Sequence, residues 1–265
     1  MNTLEDNRFT AAWRALGREL PRPRAVLAIS AHWYIGATAV TAMSRPRTIH
    51  DFYGFPPELY AVQYPAPGSP ELAQEVAEIV KPHRLFFDHE QWGLDHGTWS
   101  VLAHFYPNAD VPVVQLSINA LEPLEHHMEL AARLAPLRDR GVLILGSGNV
   151  VHNLRRVVWD RPDFAFDWAE RFDDAVLEQL AHEPGDVLKL ARHPDYPLAA
   201  PTPDHFIPLI YIAALAAADG VPAKALVRGY TLGAASMTSY GVGVDASRPA
   251  QSLTDISEDN SKLGV

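Results

Sequence analysis

Short apolar runs alternate with amphipathic stretches along most of the chain. The period-two or fully apolar runs predict strands at 25–30, 37–43, 85–87, 111–118, 142–146, 225–231 and 237–243. Helical spacing predicts helices at 3–17, 69–80, 123–136, 166–182, 184–191 and 204–218, and one ending near Phe105. Strands that alternate with helices in this way predict an α/β fold, in which a central mixed or parallel sheet is flanked by helices.

The same pattern places the whole sheet in one domain. We find no linker-like stretch within residues 1–245 and no internal repeat, so we expect a single domain there. Beyond Asp245 the chain becomes polar and unpatterned, and residues 246–265 are predicted to be a disordered tail.

Charge and composition narrow the function classes. A net charge of -10 without a basic stripe argues against a nucleic-acid surface. No apolar run approaches the roughly 18 residues of a membrane span, and the first residues do not resemble a secretory leader, so we expect a cytoplasmic protein with no membrane contact. The chain has no cysteine, so nitrogen and oxygen atoms must hold any metal.

Several histidines occupy positions that suit a site. His32 and His152 follow apolar strand patterns, and ligands bind at that end of the strands in open α/β sheets. His205 opens a predicted helix, and His96 lies in a glycine-bounded turn where pairing with Asp95 is an equally good interpretation. His126 and His127 are adjacent on a helix, so at most one of them is expected to face a site.

Other chemistries are disfavoured. The segment Gly146-Ser147-Gly148-Asn149 follows a strand and could cradle a phosphate, but it matches neither the Walker pattern nor the dinucleotide fingerprint. The chain contains no G-x-S-x-G elbow and no H-E-x-x-H motif, which argues against a serine hydrolase or a zincin protease.

The motifs together resemble a known family. The matching stretches are Ser30-Ala31-His32-Trp33, Thr48-Ile49-His50-Asp51-Phe52, Tyr64-Pro65-Ala66-Pro67-Gly68-Ser69-Pro70, Trp92-Gly93-Leu94-Asp95-His96-Gly97, Gln115-Leu116-Ser117-Ile118, Ser147-Gly148-Asn149-Val150-Val151-His152-Asn153-Leu154 and Pro201-Thr202-Pro203-Asp204-His205. In this order they resemble the bacterial 4,5-DOPA extradiol dioxygenase-like proteins of the class III (LigB-like) superfamily, over residues 1 to about 243.

The resemblance implies a metal-dependent ring cleavage. It implies His32 as a metal ligand and His152 and His205 as further ligands or pocket-lining imidazoles. It implies His127 as the acid–base group and His96 as a residue that either supports a ligand or faces the substrate. The implied metal is Fe(II), with Zn(II) able to take its place. The implied reactants are a small aromatic diol and O2, and the product is a muconic semialdehyde.

Four more residues are candidates for substrate contact. Trp33, Tyr53 and Phe55 could flank the ring, although packing within their loops is an equal interpretation. Asn149 lies in the glycine-containing loop that leads to His152.

One departure from the family pattern gives a further expectation. The family opens with a strand and a Gly-His-Gly-Ser-Pro segment, whereas this sequence opens at Met1-Asn2-Thr3-Leu4, which resembles the residues after that segment. We therefore expect the first strand and one metal ligand to be missing from the chain as written, with a downstream start favoured over loss of part of the site. Metal binding and activity are then expected to be weak.

Two other function classes stay open. One is a metal-binding protein of this fold without oxygenase activity, and the weaker one is a zinc-dependent hydrolase. The choice of catechol and the oligomeric state do not follow from the sequence.

Overall fold

The structure is a computed structural model that describes residues 2–244. The predicted tail at 246–265 lies outside the described residues. The helices are α1 (Arg8–Glu19), α2 (Pro57–Ala61), α3 (Pro70–Ile79), α4 (His96–Phe105), α5 (Leu124–Arg133), α6 (Pro136–Asp139), α7 (Asp167–His182), α8 (Tyr196–Ala199) and α9 (Ile207–Asp219). The strands are β1 (Ala25–Ile35), β2 (Ala39–Thr41), β3 (Phe86–Asp88), β4 (Val113–Asn119), β5 (Val142–Ser147), β6 (Lys224–Val227), β7 (Tyr230–Thr231), β8 (Ala235–Ser236) and β9 (Ser239–Gly241).

A five-stranded mixed sheet organises the molecule, with the order β3-β2-β4-β1-β5. β1 pairs in parallel with both β4 and β5, and β2 pairs antiparallel with β4. The mixed α/β sheet flanked by helices that the pattern predicts is therefore confirmed. Because β1, β4 and β5 run in parallel, their carboxyl ends meet at one edge of the sheet.

The two faces of β1 supply two separate cores. Leu27 and Ile29 pack in the larger core, with residues of α3, α5, α7 and α9. Val26 and Ala28 face the opposite side and pack with residues of α4 and of the loop that precedes α3. Burial on both faces explains why this strand reads as a continuous apolar run.

Two elements differ from their predicted bounds in ways that affect the site. β1 does not end before His32 but continues to Ile35, with an irregular register against β4 between Ile29 and Tyr34. His32 therefore lies inside the strand rather than just past it. α4 begins at His96, since the Asp95 side chain accepts the Thr98 N–H at 3.0 Å and caps the helix.

The C-terminal hairpin strands are anchored by one buried carboxylate. Asp173 of α7 is fully buried and accepts hydrogen bonds from Ser236 Oγ at 2.6 Å, Thr238 Oγ1 at 3.1 Å and Tyr230 Oη at 3.2 Å. Arg228 adds an ion pair at 3.3 Å. This network ties β7, β8 and the turn that follows to α7.

β5 forms one edge of the sheet and borders a cavity of about 460 Å³ between α1 and α9. Tyr106 and Tyr240 are among the residues that line this cavity, and their buried hydroxyl groups have no hydrogen-bond partner among the described residues. Within residues 2–244 no helix is both long and apolar enough to cross a bilayer.

Candidate metal centre

Four imidazoles meet at the carboxyl edge of the sheet. The His32 ring stacks on His96 with centroids 3.9 Å apart and meets His205 edge-on at 5.2 Å. His205 in turn stacks on His152 at 3.5 Å, with the two rings 9° from parallel. The residues come from β1, the start of α4, the loop after β5 and the turn before α9, so the fold gathers side chains from distant parts of the chain.

One carboxylate completes a candidate metal-binding group. Ligand atoms of His32, Asp51 and His96 all lie within 4.8 Å of one another, and no other such group of three or more is found within residues 2–244. Asp51 Oδ1 is 3.0 Å from His96 Nδ1 and accepts the His96 backbone N–H at 2.9 Å. Asp51 Oδ2 is 3.9 Å from His32 Nδ1.

The ligand set implied by the resemblance overlaps this group only at His32. His152 and His205 belong to the same chain of ring contacts, but their ligand atoms do not form a second converging group among the described residues. Their assignment as ligands stays a prediction. Asp51 was not among the predicted site residues. Its position in the matching stretch Thr48-Ile49-His50-Asp51-Phe52 was the sequence feature that could have identified it.

The close approach of α4 to β1 requires a glycine. A Cβ atom at Gly97 would lie 2.6 Å from both His32 Nδ1 and Ser30 Oγ. Ser147 Oγ donates to the Gly97 carbonyl at 2.7 Å, which ties the start of α4 to the end of β5. The position of the His32 ring therefore depends on the absence of a side chain at this point in α4.

Hydrogen bonds to Asn149 assign the tautomer of His205. Asn149 Nδ2 donates to the Ser236 carbonyl at 2.7 Å, so Asn149 Oδ1 is the atom that faces His205 Nδ1 at 3.3 Å. An oxygen acceptor there means that Nδ1 carries the proton and Nε2 keeps its lone pair. Nε2 faces the Asp204 carboxylate at 3.6 Å. His205 thus has Nδ1 held by Asn149, as metal-binding histidines commonly have one nitrogen held, and its unprotonated Nε2 lies beside the Asp204 carboxylate.

Asp95 supports the site without exposure to solvent. Its Oδ2 accepts from Gln115 Nε2 at 2.7 Å, and its backbone N–H donates to Gln115 Oε1 at 2.9 Å. Asp95 Oδ1 lies 3.9 Å from His32 Nδ1. The fully buried carboxylate therefore fixes the start of α4 to the sheet and adds negative charge beside His32.

Burial favours the neutral form of three of the four imidazoles. It lowers the pKa of His152 to about 4 and the pKa of His205 well below the usual range. Burial, with the neighbouring His96, also lowers the pKa of His32. Burial alone would raise the pKa of Asp51, but the hydrogen bond and charge of His96 outweigh it and lower that pKa. At neutral pH, His32, His152 and His205 are thus unprotonated and the Asp51 carboxylate is ionised, the forms that bind metal.

His127 lies apart from these four rings. Its side chain is fully buried, with Nδ1 3.3 Å from the Tyr211 hydroxyl and Nε2 3.2 Å from the Asn119 carbonyl. Among the described residues its ring contacts are with His126 and Tyr211. Burial lowers the pKa of His127 to about 4. The structure does not bring it to the imidazole cluster, and its acid–base role stays a prediction.

The predicted substrate-contact residues fall in different surroundings. Trp33 is buried and stacks on Trp92 with ring centroids 5.7 Å apart. Phe55 packs edge-on against Phe52. The ring centroids of Phe52 and His96 are 5.2 Å apart. Tyr53 is 93% exposed, so nothing in the structure holds its ring over the site. Phe52, which was not predicted, is the aromatic residue that touches the cluster.

Several known proteins are similar to this chain in sequence. Residues 4–243 match the family described as the catalytic LigB subunit of aromatic ring-opening dioxygenase. The chain is 46% identical to the 4,5-DOPA dioxygenase extradiol of Escherichia coli (strain K12), over 92% of this chain and 91% of that protein. It is 37% identical to the protein of the same name from Beta vulgaris, over 83% of this chain and 82% of that one.

A solved structure agrees with these matches. The crystal structure of the uncharacterized protein JW3007 from Escherichia coli K12 superposes with a TM-score of 0.79 at 41% identity, covering 91% of this chain and 94% of that one. Family, relatives and fold therefore point the same way: this chain belongs to the LigB family of aromatic ring-opening dioxygenases and is a homologue of the 4,5-DOPA extradiol dioxygenases.

Proposed function

We propose that this chain cleaves the ring of a DOPA-like catechol beside the diol, using Fe(II) and O2, to give a muconic semialdehyde. The observation that carries the proposal is the convergence of His32, Asp51 and His96 at the carboxyl edge of the sheet in a LigB-family chain. Relatives that bear the name 4,5-DOPA dioxygenase support the substrate class.

The donor atoms fit the proposed metal. Two imidazoles and one carboxylate with open positions are the arrangement typical of non-haem Fe(II) oxygenases. His32 is common to this group and to the set implied by the resemblance, so His32 is the ligand we assign first. Asp51 and His96 are the partners whose atoms already converge, and His205, with an unprotonated Nε2, is the next candidate. When bound, Fe(II) supplies the one-electron chemistry with dioxygen that no side chain of this chain provides.

A neutral imidazole can act as the base that accepts a proton from the catechol. A catechol must lose a proton as it binds, and an unprotonated histidine beside the diol can accept it. His127 is the base implied by the resemblance. His152 is a second candidate, because it is neutral at pH 7 and stacks on His205 within the cluster. Parallel variants His127→Gln and His152→Gln separate the two, since only the true base will remove the pH dependence of kcat.

Phe52 is the aromatic residue best placed to orient the substrate ring, because the ring centroids of Phe52 and His96 are 5.2 Å apart. Trp33 stacks on Trp92 and has no ring contact with the four histidines among the described residues. An aromatic side chain beside the histidines favours a flat aromatic substrate over an aliphatic diol.

The test is oxygen consumption by iron-loaded protein. We expect catechol-dependent O2 uptake with the appearance of a yellow ring-opened product, and we expect both to be lost in His32→Ala. The matched control is His182→Ala, because His182 is exposed at the end of α7. Turnover that proceeds without oxygen, or an active His32→Ala variant, would contradict the proposal.

A further inference from the structure

A second pair of histidines lies outside the imidazole cluster. His83, in the loop between α3 and β3, meets His126 of α5 edge-on, with the ring centroids 4.9 Å apart. The Nε2 atoms of both rings are buried, and neither has a hydrogen-bond partner among the described residues. A buried polar atom without a partner has lost the hydrogen bond that water would give it. A ligand shared by the two nitrogen atoms would restore that lost interaction.

The fold holds the two rings together. Arg133 of α5 donates from Nη1 to the Lys81 carbonyl at 2.7 Å, which fastens the loop that carries His83 to the helix that carries His126. Within the loop, the His83 backbone N–H donates to the Val80 carbonyl at 3.0 Å. The pairing of the two imidazoles is therefore supported by contacts that do not involve either ring.

Glu122 leaves the Nε2 atom of His126 available for a cation. Glu122 Oε2 lies 3.7 Å from His126 Nδ1, so the carboxylate favours a proton on Nδ1 and a lone pair on Nε2. Carboxylate, histidine and metal commonly follow one another in this order at zinc sites. Burial lowers the pKa of His83, and the charges of His126 and Arg133 lower it further. Its ring is therefore also unprotonated at neutral pH, the form that binds metal.

A third ligand is available on the same helix. Glu129 follows His126 by three residues, so the two side chains share one face of α5. Donor atoms here do not converge within 4.8 Å as those of the His32 group do. Glu129 is exposed, however, so its carboxylate can turn toward the two rings. Glu122 and Glu129 also place two negative charges beside the pair, against the single positive charge of Arg133.

We propose that His83 and His126 bind a zinc ion through their Nε2 atoms, with Glu129 as a third ligand and Glu122 as the carboxylate that orients His126. Zinc takes imidazole and carboxylate ligands, with bonds to nitrogen of about 2.0–2.1 Å. A rotation of the two touching rings brings both nitrogen atoms to one ion. The site uses no residue of the proposed iron centre and does not rest on the proposed function. Its zinc would join the loop between α3 and β3 to α5.

The test is a calorimetric titration of the metal-free full chain with Zn²⁺ at pH 7. We expect His83→Gln and His126→Gln each to weaken one class of zinc site at least about tenfold, and Glu122→Gln to weaken the same class about tenfold. His89→Gln is the matched control, because His89 is exposed just after β3. His32→Ala should affect only a separate class. Failure of that separate class would count against the proposed iron centre and leave this site standing.

Histidine ring signals in NMR spectra give a second measurement, which needs no variant at His83 or His126 to fold. Zinc should shift the ring signals of His83 and His126 in the unmodified chain and leave those of His89 and His182 in place. Zinc should also raise the melting temperature of the parent more than that of His126→Gln. Unmoved His83 and His126 signals would overturn the proposal, as would a His126→Gln protein that binds zinc with the parent's stoichiometry and affinity.

Discussion

Replacement of Gly97 by alanine should weaken metal binding and leave the fold intact. A Cβ atom at this position would sit 2.6 Å from His32 Nδ1, whereas ordinary contacts begin near 3.4 Å. The imidazole must therefore retreat by 0.8 Å, the difference between 3.4 and 2.6 Å. Metal–ligand distances tolerate only about 0.2 Å. We expect the affinity for Zn²⁺, used as a redox-inert probe, to fall about 10- to 100-fold, as it does when the support of a ligand is lost.

The free energy of unfolding of the same variant should fall by no more than about 2.5 kcal/mol. Alanine in a helix is favoured over glycine by about 0.5–1 kcal/mol, and crowding of the movable His32 and Ser30 side chains costs about 1–3 kcal/mol. Zinc titration by calorimetry and a urea melt measure the two effects separately. Gly185→Ala is the matched control, because its Cβ would meet Ala217 at an ordinary 3.5 Å. A Gly97→Ala protein that binds zinc as tightly as the parent would refute the reasoning that His32 position controls the site.

Three further outcomes are expected. Asp173→Asn should lower the free energy of unfolding by about 2–4 kcal/mol in urea melts, because buried donors lose their charged acceptor, whereas the neighbouring exposed Asp174→Asn should change it by less than about 1 kcal/mol. Stability should fall as the pH drops from 6.5 to about 4, because the unfolded chain binds a proton at His127 before the folded chain does. The stability that neutral His127 contributes is complete above pH 6.5 and amounts to about 3 kcal/mol. This contribution should disappear from the pH dependence of melting in His127→Gln. If His32, Asp51 and His96 hold the metal, Asp51→Asn should reduce the amount of bound iron, measured by metal analysis, more than His205→Gln does. A larger loss in His205→Gln would favour the ligand set implied by the resemblance, which includes His205.

The sheet was predictable because its central strands are buried on both faces. The first half of β1 reads as an uninterrupted apolar run, and a parallel strand buried on both faces requires that. β5 begins with a similar run although it lies at the edge of the sheet. The extension of β1 past His32 could not be read from the pattern. Its polar and aromatic residues continue the strand only because β4 pairs with Tyr34 and Ile35 after a shift in register, and that pairing is a long-range contact.

The site was predictable to the extent that it follows strand ends. His152 comes after β5 and His32 follows the first apolar run, so the sheet edge predicted that these two would lie near each other. The places of His96 and His205 were implied by the family resemblance and not by the strand pattern. Asp51 lies in the long loop between β2 and α2, and no periodicity fixes where such a loop folds back. The surroundings of His127 were equally inaccessible, because a helical pattern does not show which neighbour a buried side chain will meet.

The burial that favours metal binding by these histidines also lowers the stability of the protein at acidic pH. Imidazoles bind metal in their unprotonated form. Burial lowers the pKa of His152 and of His205, so both side chains stay unprotonated at a pH well below the usual pKa of histidine. Their folded-state pKa values are lowered, so the unfolded chain takes up protons first as the pH falls below 6.5, and each such group contributes stability that is lost over the interval down to its folded pKa. A bound cation would extend that interval, since it holds the imidazoles in the neutral form. Iron-free protein should therefore melt earlier than metal-loaded protein, by a margin that grows with metal concentration. A melting temperature near pH 6.5 that does not respond to Fe(II) or Zn²⁺ would show that the buried histidines stabilise the fold by packing and do not bind metal.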